Sequence, residues 1–377
     1  MKVAHVIIGL NVGGAELMLK RLIESHRERP SIEHVVISLT DQGVLGNLLV
    51  KQGVAVHGLG MSSIIKGPST FFKLRKLLQT LRPDIVHTWM YHADLLGGLA
   101  ARSAGLHNLV WCIRSTDISK GGSKLTLLVR KLCACLSNWL PSVIVCAADA
   151  SRQVHEAAGY SSSKMRVIPN GFDLDKLLTP HKSGSDVRDE LGISRDCKIV
   201  VSVGRYSPVK DHRTFIEAAS KVAAKRSDVK FMLVGRDLAR TNSQLLAWIN
   251  ATGQAKAFYL LGERDDVPAC LRASDVFCLH SVTEGFPNAL GEAMAVGLPC
   301  VTTNVGDAAY LLNNPDWVVP AASPDKLAEK LNSLLFLPFD ERAALGEAAA
   351  SRVRKCFSID AISHCYYELY ASLVYSR

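Results

Sequence analysis

Short runs of β-branched and apolar residues alternate along the whole chain with stretches whose apolar residues follow helical spacing. That rhythm predicts parallel βα units. The first half predicts strands at 3–9 (VAHVIIG), 34–39 (HVVISL), 54–60 (VAVHGLG), 84–89 (DIVHTW), 108–113 (NLVWCI), 142–147 (SVIVCA) and 165–169 (MRVIP). The second half restarts the scheme at 198–204 (KIVVSVG), 229–235 (VKFMLVG), 257–262 (AFYLLG), 275–281 (DVFCLHS), 299–304 (PCVTTN) and 316–320 (DWVVP). Two doubly wound parallel sheets follow from this. Between them TPHKSGSDVRDELGIS (179–194) is polar and Gly/Ser-rich, which places a linker near 171–185. The expected domains are 1–175 and 176–357. Ser358 is expected to cap a last helix, 358–377, in which Ile359, Ile362, Tyr366, Leu369 and Leu373 follow helical spacing.

A chain of 377 residues is long enough for two domains of roughly 150 to 200 residues each. With 48% hydrophobic and 21% charged residues, it has a globular composition. No apolar run reaches the ~18 residues of a membrane helix; the nearest, 125–148, is broken by Arg130, Lys131, Asn138 and Pro141. The opening MKVAHVIIGL is read as a first strand rather than a signal peptide, because His5 interrupts it and no small-x-small cleavage site follows. Ten cysteines without a CxxC pair point to reduced thiols and a cytoplasmic location, with Cys133 and Cys135 read as core. The net charge of +9 is uneven: residues 1–175 hold 20 Lys+Arg against 12 Asp+Glu, while 176–377 hold 24 against 23. An anionic partner is expected for the first half, and no nucleic-acid motif is present.

In open parallel sheets ligands bind beyond the carboxyl ends of the strands, so the loops that follow strands carry the chemistry. Four are unusual: GLNVGGAE, MYHAD, GRYSPVK and SVTEGFPN. Arg205 and Lys210 stand at a strand-to-helix turn, where two cations can clamp a diphosphate. In EGFPNALGE, Asn288 is expected to cap a helix whose free N–H groups face an anion. Glu292 then falls at the fourth helical position, one residue beyond the place a capping box would use. Carboxylates beside a phosphate site are best explained as acceptors for hydroxyl groups. A nucleotide sugar supplies both hydroxyls and a diphosphate. The fingerprints G-x-G-x-x-G and GxxxxGK[ST] are both lacking, which argues against dehydrogenase and P-loop readings.

The E-x7-E stretch EGFPNALGE, the GRYSPVKD loop, the N-terminal GGAE and the PNGFD closing the first half together resemble the retaining glycosyltransferases of the GT-B fold. The likeness is to the family 4 group typified by bacterial polysaccharide and lipid-glycan enzymes, and it covers nearly the whole chain. It implies two Rossmann-like domains facing a central cleft, the first for acceptor and the second for nucleotide-sugar donor, with the last helix packing back on the first. It also implies that Arg205 and Lys210 neutralise the donor diphosphate, Glu284 faces the transferred sugar and Glu292 holds the ribose hydroxyls. Gly285, Phe286, Pro287, Asn288 and Ala289 would shape the loop around sugar and phosphate. Gly13 and Gly14 would let backbone approach the diphosphate, although a tight turn explains paired glycines equally well. His92 is expected near acceptor and sugar, against the alternative of a surface histidine. Arg114 either contacts an anionic acceptor or sits on the rim. Arg236, Leu261 and Arg264 match the region that contacts the base. His87, inside a strand pattern, is read as structural.

The activity implied is transfer of a hexose-type sugar from a UDP- or GDP-linked donor to a glycan hydroxyl, on a lipid-linked or lipopolysaccharide intermediate, by same-face substitution. No cofactor or essential metal is expected, since fixed cations and helix amides can serve the leaving group. The alternatives are a sugar-nucleotide epimerase of the same fold and a non-catalytic nucleotide-sugar-binding protein. Two basic, acid-free segments, 64–82 and 118–131, carry Phe or Leu at helical spacing. They read equally as sheet-covering helices and as helices on an anionic membrane, which would make the protein peripheral at the cytoplasmic face.

Overall fold

The computed structural model describes residues 1–11, 13–27, 32–116, 123–179 and 181–375. Thirteen strands form among them, one at each place where the apolar pattern predicts it. In the first half these are β1 (Lys2–Ile7), β2 (Glu33–Ser38), β3 (Ala55–Gly58), β4 (Ile85–Trp89), β5 (Leu109–Ile113), β6 (Val143–Cys146) and β7 (Met165–Val167). The second half holds β8 (Lys198–Val203), β9 (Val229–Val234), β10 (Phe258–Gly262), β11 (Val276–Leu279), β12 (Cys300–Thr303) and β13 (Val318–Val319). Helices cover both faces of each sheet, so every residue of β4 and β5 is buried. That double burial is why the strands read as continuous apolar runs rather than alternating ones.

The sheets run β3-β2-β1-β4-β5-β6-β7 and β10-β9-β8-β11-β12-β13, with every pairing parallel. The order reverses between β1 and β4 in one sheet and between β8 and β11 in the other. Each reversal opens a crevice at the carboxyl ends of two adjacent strands, and ligands of such sheets bind there.

Two compact units divide the chain: Met1–Gly171 with Ile359–Arg377, and Phe172–Ser358. The last helix, Ile359–Tyr375, thus belongs to the first unit. Its Ile362, Tyr366, Leu369 and Tyr370 are buried with Met18, Leu22, Ile85 and Trp89. Burying one such side chain contributes about 1.5–3 kcal/mol, so this face outweighs any end effect on the helix.

Part of the polar stretch 179–194 is helical rather than loop. A helix spans Gly184–Leu191, started by a capping box in which Ser183 and Asp186 satisfy each other's backbone N–H. Val187 is fully buried, and Arg188 donates to the Ala273 carbonyl at 2.7 Å and to Asp275 at 2.9 Å, which binds the helix to the second unit. The polar composition that suggested a loop is the composition of a capped, half-exposed helix. The junction falls between Gly171 and Phe172, at the start of the 171–185 linker and slightly ahead of the 175/176 boundary expected.

Inside the first unit, buried His5 and His26 and half-buried His34 form one hydrogen-bonded line. Trp89 Nε1–H donates to His5 Nδ1 (3.2 Å), His5 Nε2 lies 2.9 Å from His34 Nδ1, and His34 Nε2 lies 3.1 Å from His26 Nδ1. His26 Nε2 ends the line at the Ser363 carbonyl (3.1 Å) in the last helix. An indole can only donate and a carbonyl can only accept, so each of the three rings is neutral with its proton on Nε2. Beside them, His87 is buried and its Nδ1 meets the Tyr370 hydroxyl at 2.7 Å, a structural placement.

Candidate functional site

At the β8/β11 crevice of the second unit, the loops after both strands meet. Beyond β8 the chain makes a turn at Pro208–Lys210, and Asp211 enters the left-handed region (φ 51°) to cap the helix His212–Ala223. This turn leaves Lys210 facing the segment after β11. Lys210 Nζ lies 2.5 Å from Glu284 Oε1, and the Ser281 hydroxyl donates to the same oxygen at 2.6 Å. The two side chains are 22% and 12% exposed, which shields their attraction from solvent. Arg205, two residues beyond the end of β8, is exposed and makes no ion pair among the described residues. One cation is held in place and the other remains open.

The 284–292 segment is built as a strand-to-helix cradle, with one correction. The helix is Asn288–Ala295 and its cap is Pro287, so Asn288 is the first helical residue and Glu292 the fifth. Proline suits this position because its extended backbone (ψ 94°) turns the chain into the helix without needing an N–H of its own. The amides of the first turn still lack intrahelical acceptors, so Ala289 sits at the cradle's positive end. Phe286 is 8% exposed and its ring stacks 6.1 Å from that of Phe172, anchoring the loop to the core. A Cβ at Gly291 would lie 2.0 Å from the Phe172 ring, so packing excludes the acid that a capping box would have placed there. Glu292 is half-buried on the same helix.

Gly285 is fixed from below. Its carbonyl accepts from Asp307 N–H at 2.9 Å, within a turn where Gly306 has φ 51°. A Cβ at Gly306 would stand 2.4 Å from the Glu284 carbonyl oxygen. Only glycine permits this approach.

The three residues expected near the base are dispersed in character. Arg236 follows β9 and is exposed, and its carbonyl accepts from Tyr206 N–H at 2.8 Å. Leu261 is half-buried in β10 where the pairing with β9 shifts register. Arg264 is taken up by Asp266 (2.6 Å) and Glu190 (2.7 Å), with Lys182 on the same acids. These charges clasp the helix Gly184–Leu191, and the cations draw the Glu190 carboxyl down to about 2.

Four expected residues lie in the first unit, after β1, β4 and β5, which are neighbours in the sheet. Gly13 caps the helix Gly14–Ser25 in an extended conformation, and Glu16 folds back over it: a Cβ there would meet Glu16 Oε2 at 2.3 Å. Burial raises the Glu16 carboxyl's pKa. Nothing crowds Gly14. His92 is the second residue of the helix Tyr91–Ser103, half-buried, and burial lowers its pKa below the usual 6.5, so it is a neutral imidazole. The residue before that helix, Met90, has φ 71° and ψ 158°, a conformation that costs a non-glycine residue about 1–3 kcal/mol. Arg114 turns inward. It donates to Cys112 Sγ (3.1 Å), the Ile168 carbonyl (3.2 Å), Asn170 Oδ1 (2.8 Å) and the Tyr366 hydroxyl, with Trp89 and Tyr366 rings beside its guanidinium. Those contacts tie the β5 and β7 ends to the last helix.

Sequence reasoning passed over His280, Ser202, Ser281 and Gly306. His280 directly follows β11 and stands four residues before Glu284, a position that could have drawn attention to it.

Two family models match the chain: "Glycosyltransferase Family 4" over residues 12–176 and "Glycosyl transferases group 1" over residues 185–352. The chain belongs to the GT-B glycosyltransferases. Among curated relatives of this glycosyltransferase is the Escherichia coli UDP-Gal:alpha-D-GlcNAc-diphosphoundecaprenol alpha-1,3-galactosyltransferase. The two are 32% identical over 255 residues, 67% of this chain and 66% of that one, just short of two thirds of the relative's length. A putative glycosyltransferase of Bacillus subtilis, EpsF, is 27% identical over 80% of this chain and 79% of its own. The crystal structure of Anabaena Alr3699/HepE in complex with UDP superposes with a TM-score of 0.86, at 23% identity, over 99% of this chain and all of that one. The second family model contains Arg205, Lys210, Glu284 and Glu292, and the first contains Gly13, Gly14, His92 and Arg114.

Proposed function

We propose that this glycosyltransferase moves a hexose-type sugar from a UDP-linked donor to a hydroxyl of a lipid-linked glycan, with retention at the anomeric carbon. The observation that carries the proposal is the Lys210–Glu284 pair at the β8/β11 crevice, with exposed Arg205 beside it. In the free protein Glu284 holds the ammonium group where a phosphate would otherwise hold it. A donor diphosphate then takes over part of that charge, and the Glu284 carboxylate becomes an acceptor for sugar hydroxyls. Glu292 serves the ribose hydroxyls from the helix Asn288–Ala295. Uridine is favoured by the UDP-Gal of the E. coli relative and the UDP of the Anabaena complex. A lipid-linked acceptor is favoured by that relative's diphosphoundecaprenol substrate.

Charge develops on the diphosphate as the glycosidic bond breaks. Lys210 and the amides at the start of the helix Asn288–Ala295 stabilise it from fixed positions and exposed Arg205 closes on it, which is the role otherwise given to a metal ion. The diphosphate oxygen accepts the acceptor's proton on the face it leaves, and the acceptor oxygen attacks from that face. His92, half-buried at the start of the helix Tyr91–Ser103, is the first unit's candidate for orienting acceptor hydroxyls. Thermal unfolding with UDP, GDP and their sugars tests the donor site: UDP at ~100 times its dissociation constant should add ~2.7 kcal/mol. Turnover with UDP-galactose and a polyprenyl-diphosphate-linked N-acetylglucosamine should then give an α-linked product by NMR. No shift with any nucleotide, or a β-linked product, would overturn the donor site or the retaining course respectively.

Membrane association is part of the same proposal. Among the described residues no helix is long and apolar enough to cross a membrane. The helices Gly67–Leu81 and Lys124–Leu136 both pack on Tyr91–Ser103. They leave Phe72, Leu128 and Leu132 exposed, with Ile65 and Trp139 just outside the two helices 90% and 78% exposed. Lys66, Lys73, Lys76, Lys124 and Lys131 are exposed on the same two segments, while Lys120 lies outside the described residues. Segments that expose both lysines and apolar side chains suit an anionic bilayer surface. Flotation with phosphatidylglycerol vesicles should carry the protein up and neutral vesicles should not; absence from both removes this part.

A further inference from the structure

We infer that His280 is a positioning residue for the donor clamp, holding the main chain of Lys210 while Glu284 holds its side chain. The inference rests on the reading of Lys210 as a ligand of the donor diphosphate. His280 is 3% exposed and follows β11. Its Nδ1 lies 2.5 Å from the Lys210 carbonyl oxygen, and its Nε2 lies 2.7 Å from Ser202 Oγ in β8. A carbonyl can only accept, so Nδ1 carries the proton and Nε2 accepts from the serine hydroxyl. Both ring nitrogens are thereby committed, and the tautomer is the one that can hold the loop. The ring stacks on Phe215 at 4.6 Å and 24°, and meets His212 edge-on at 5.1 Å, which leaves it no room to turn.

The surroundings show why this matters for position rather than for bulk. The segment after β11 grips the segment after β8 at three points: Val282 N–H donates to the Val209 carbonyl at 2.9 Å, His280 reaches the Lys210 carbonyl, and Glu284 reaches Lys210 Nζ. Asp211 follows at once in the left-handed region, so the carbonyl of Lys210 is turned inward at a bend that the backbone does not favour by itself. Losing that anchor lets the turn relax and carries the Lys210 ammonium away from the phosphate. Burial holds the His280 pKa near 4, so the ring stays neutral and keeps accepting from Ser202 through the working pH range.

Two amide substitutions separate this role from packing. Asparagine places an N–H close to the Nδ1 position and can still donate to the Lys210 carbonyl. Glutamine places its N–H toward the Nε2 position and cannot. UDP affinity and the donor KM are measured for His280→Asn, His280→Gln, Lys210→Ala and the double variant His280→Gln/Lys210→Ala, with thermal unfolding of each to confirm a folded second unit. His280→Gln should weaken UDP binding roughly tenfold, the scale of one lost hydrogen bond, while His280→Asn stays within about threefold of the parent. The double variant should bind no more weakly than Lys210→Ala, because both changes remove the same interaction. Equal losses in the asparagine and glutamine variants, or additive losses in the double variant, would reduce His280 to a packing residue and overturn the inference. Parental UDP affinity in His280→Gln alongside weakened binding in Lys210→Ala would also overturn it while leaving the clamp standing. Parental affinity in Lys210→Ala would remove the clamp itself.

Discussion

Lys210→Ala should lower kcat by about 10²–10³-fold, the usual loss when one preorganised charge aimed at a leaving group is removed. Two effects add. The developing charge on the diphosphate loses its sheltered cation, and Glu284, 12% exposed, keeps only the Ser281 hydroxyl on its Oε1. An unpaired carboxylate now faces the phosphates, so donor binding weakens as well. Arg205→Ala removes an exposed charge and should cost less, since solvent already screens it. Steady-state transfer rates for the two variants decide the matter. A Lys210→Ala enzyme turning over at the parental rate would show that the Lys210–Glu284 pair is a fold contact only.

Stability should fall steeply as the pH drops below about 6.5. Burial lowers the pKa of His5, His34 and His87 in the first unit and of His212 and His280 in the second, to about 3 for His34 and His212 and about 4 for His280. Below pH 6.5 the unfolded chain binds these protons and the folded one refuses them. Stability therefore rises with pH there, by up to about 1.4 kcal/mol per pH unit for each histidine. Asp94 opposes this trend: burial raises its carboxyl pKa to about 8, so the folded chain holds its proton and gains stability as the pH falls from 8 toward 4. Asp94 and Glu16, whose carboxyl pKa is also raised by burial, do not offset five imidazoles. Calorimetry between pH 7.5 and 4.5 should show the midpoint falling by many degrees, with both units affected. A flat profile would mean that the histidine line from Trp89 to Ser363 takes up protons without breaking, contrary to its neutral, one-directional geometry.

Much of the candidate site is local in sequence. EGFPNALGE and GRYSPVKD are contiguous stretches, and a strand run followed at once by charge marks a loop at the carboxyl edge of a parallel sheet. What cannot be seen there is which groups those loops face. Arg114 and Arg264 look identical to Arg205 in sequence, each a cation after a strand. Tyr366 and Asn170 absorb the first, Glu190 and Asp266 the second, and only Arg205 is left exposed. The cap at Pro287 rather than Asn288 was hidden for a related reason: local propensity favours asparagine, but the extended backbone of the cap falls at Pro287 and Asn288 is already helical.

By itself the sequence determined the strands, their division between two sheets and the loops able to carry chemistry, because burial of both sheet faces forces continuous apolar runs that can be read without knowing any contact. The tertiary structure alone decided which charges meet. Lys210 and Glu284 are 74 residues apart, and His280 lies 70 residues from the carbonyl it holds and 78 from Ser202. Those distances close only because the strand order reverses between β8 and β11. Hydrogen bonds and ion pairs depend on separations of a few ångströms, and no local pattern encodes a separation set by the crossover of the chain.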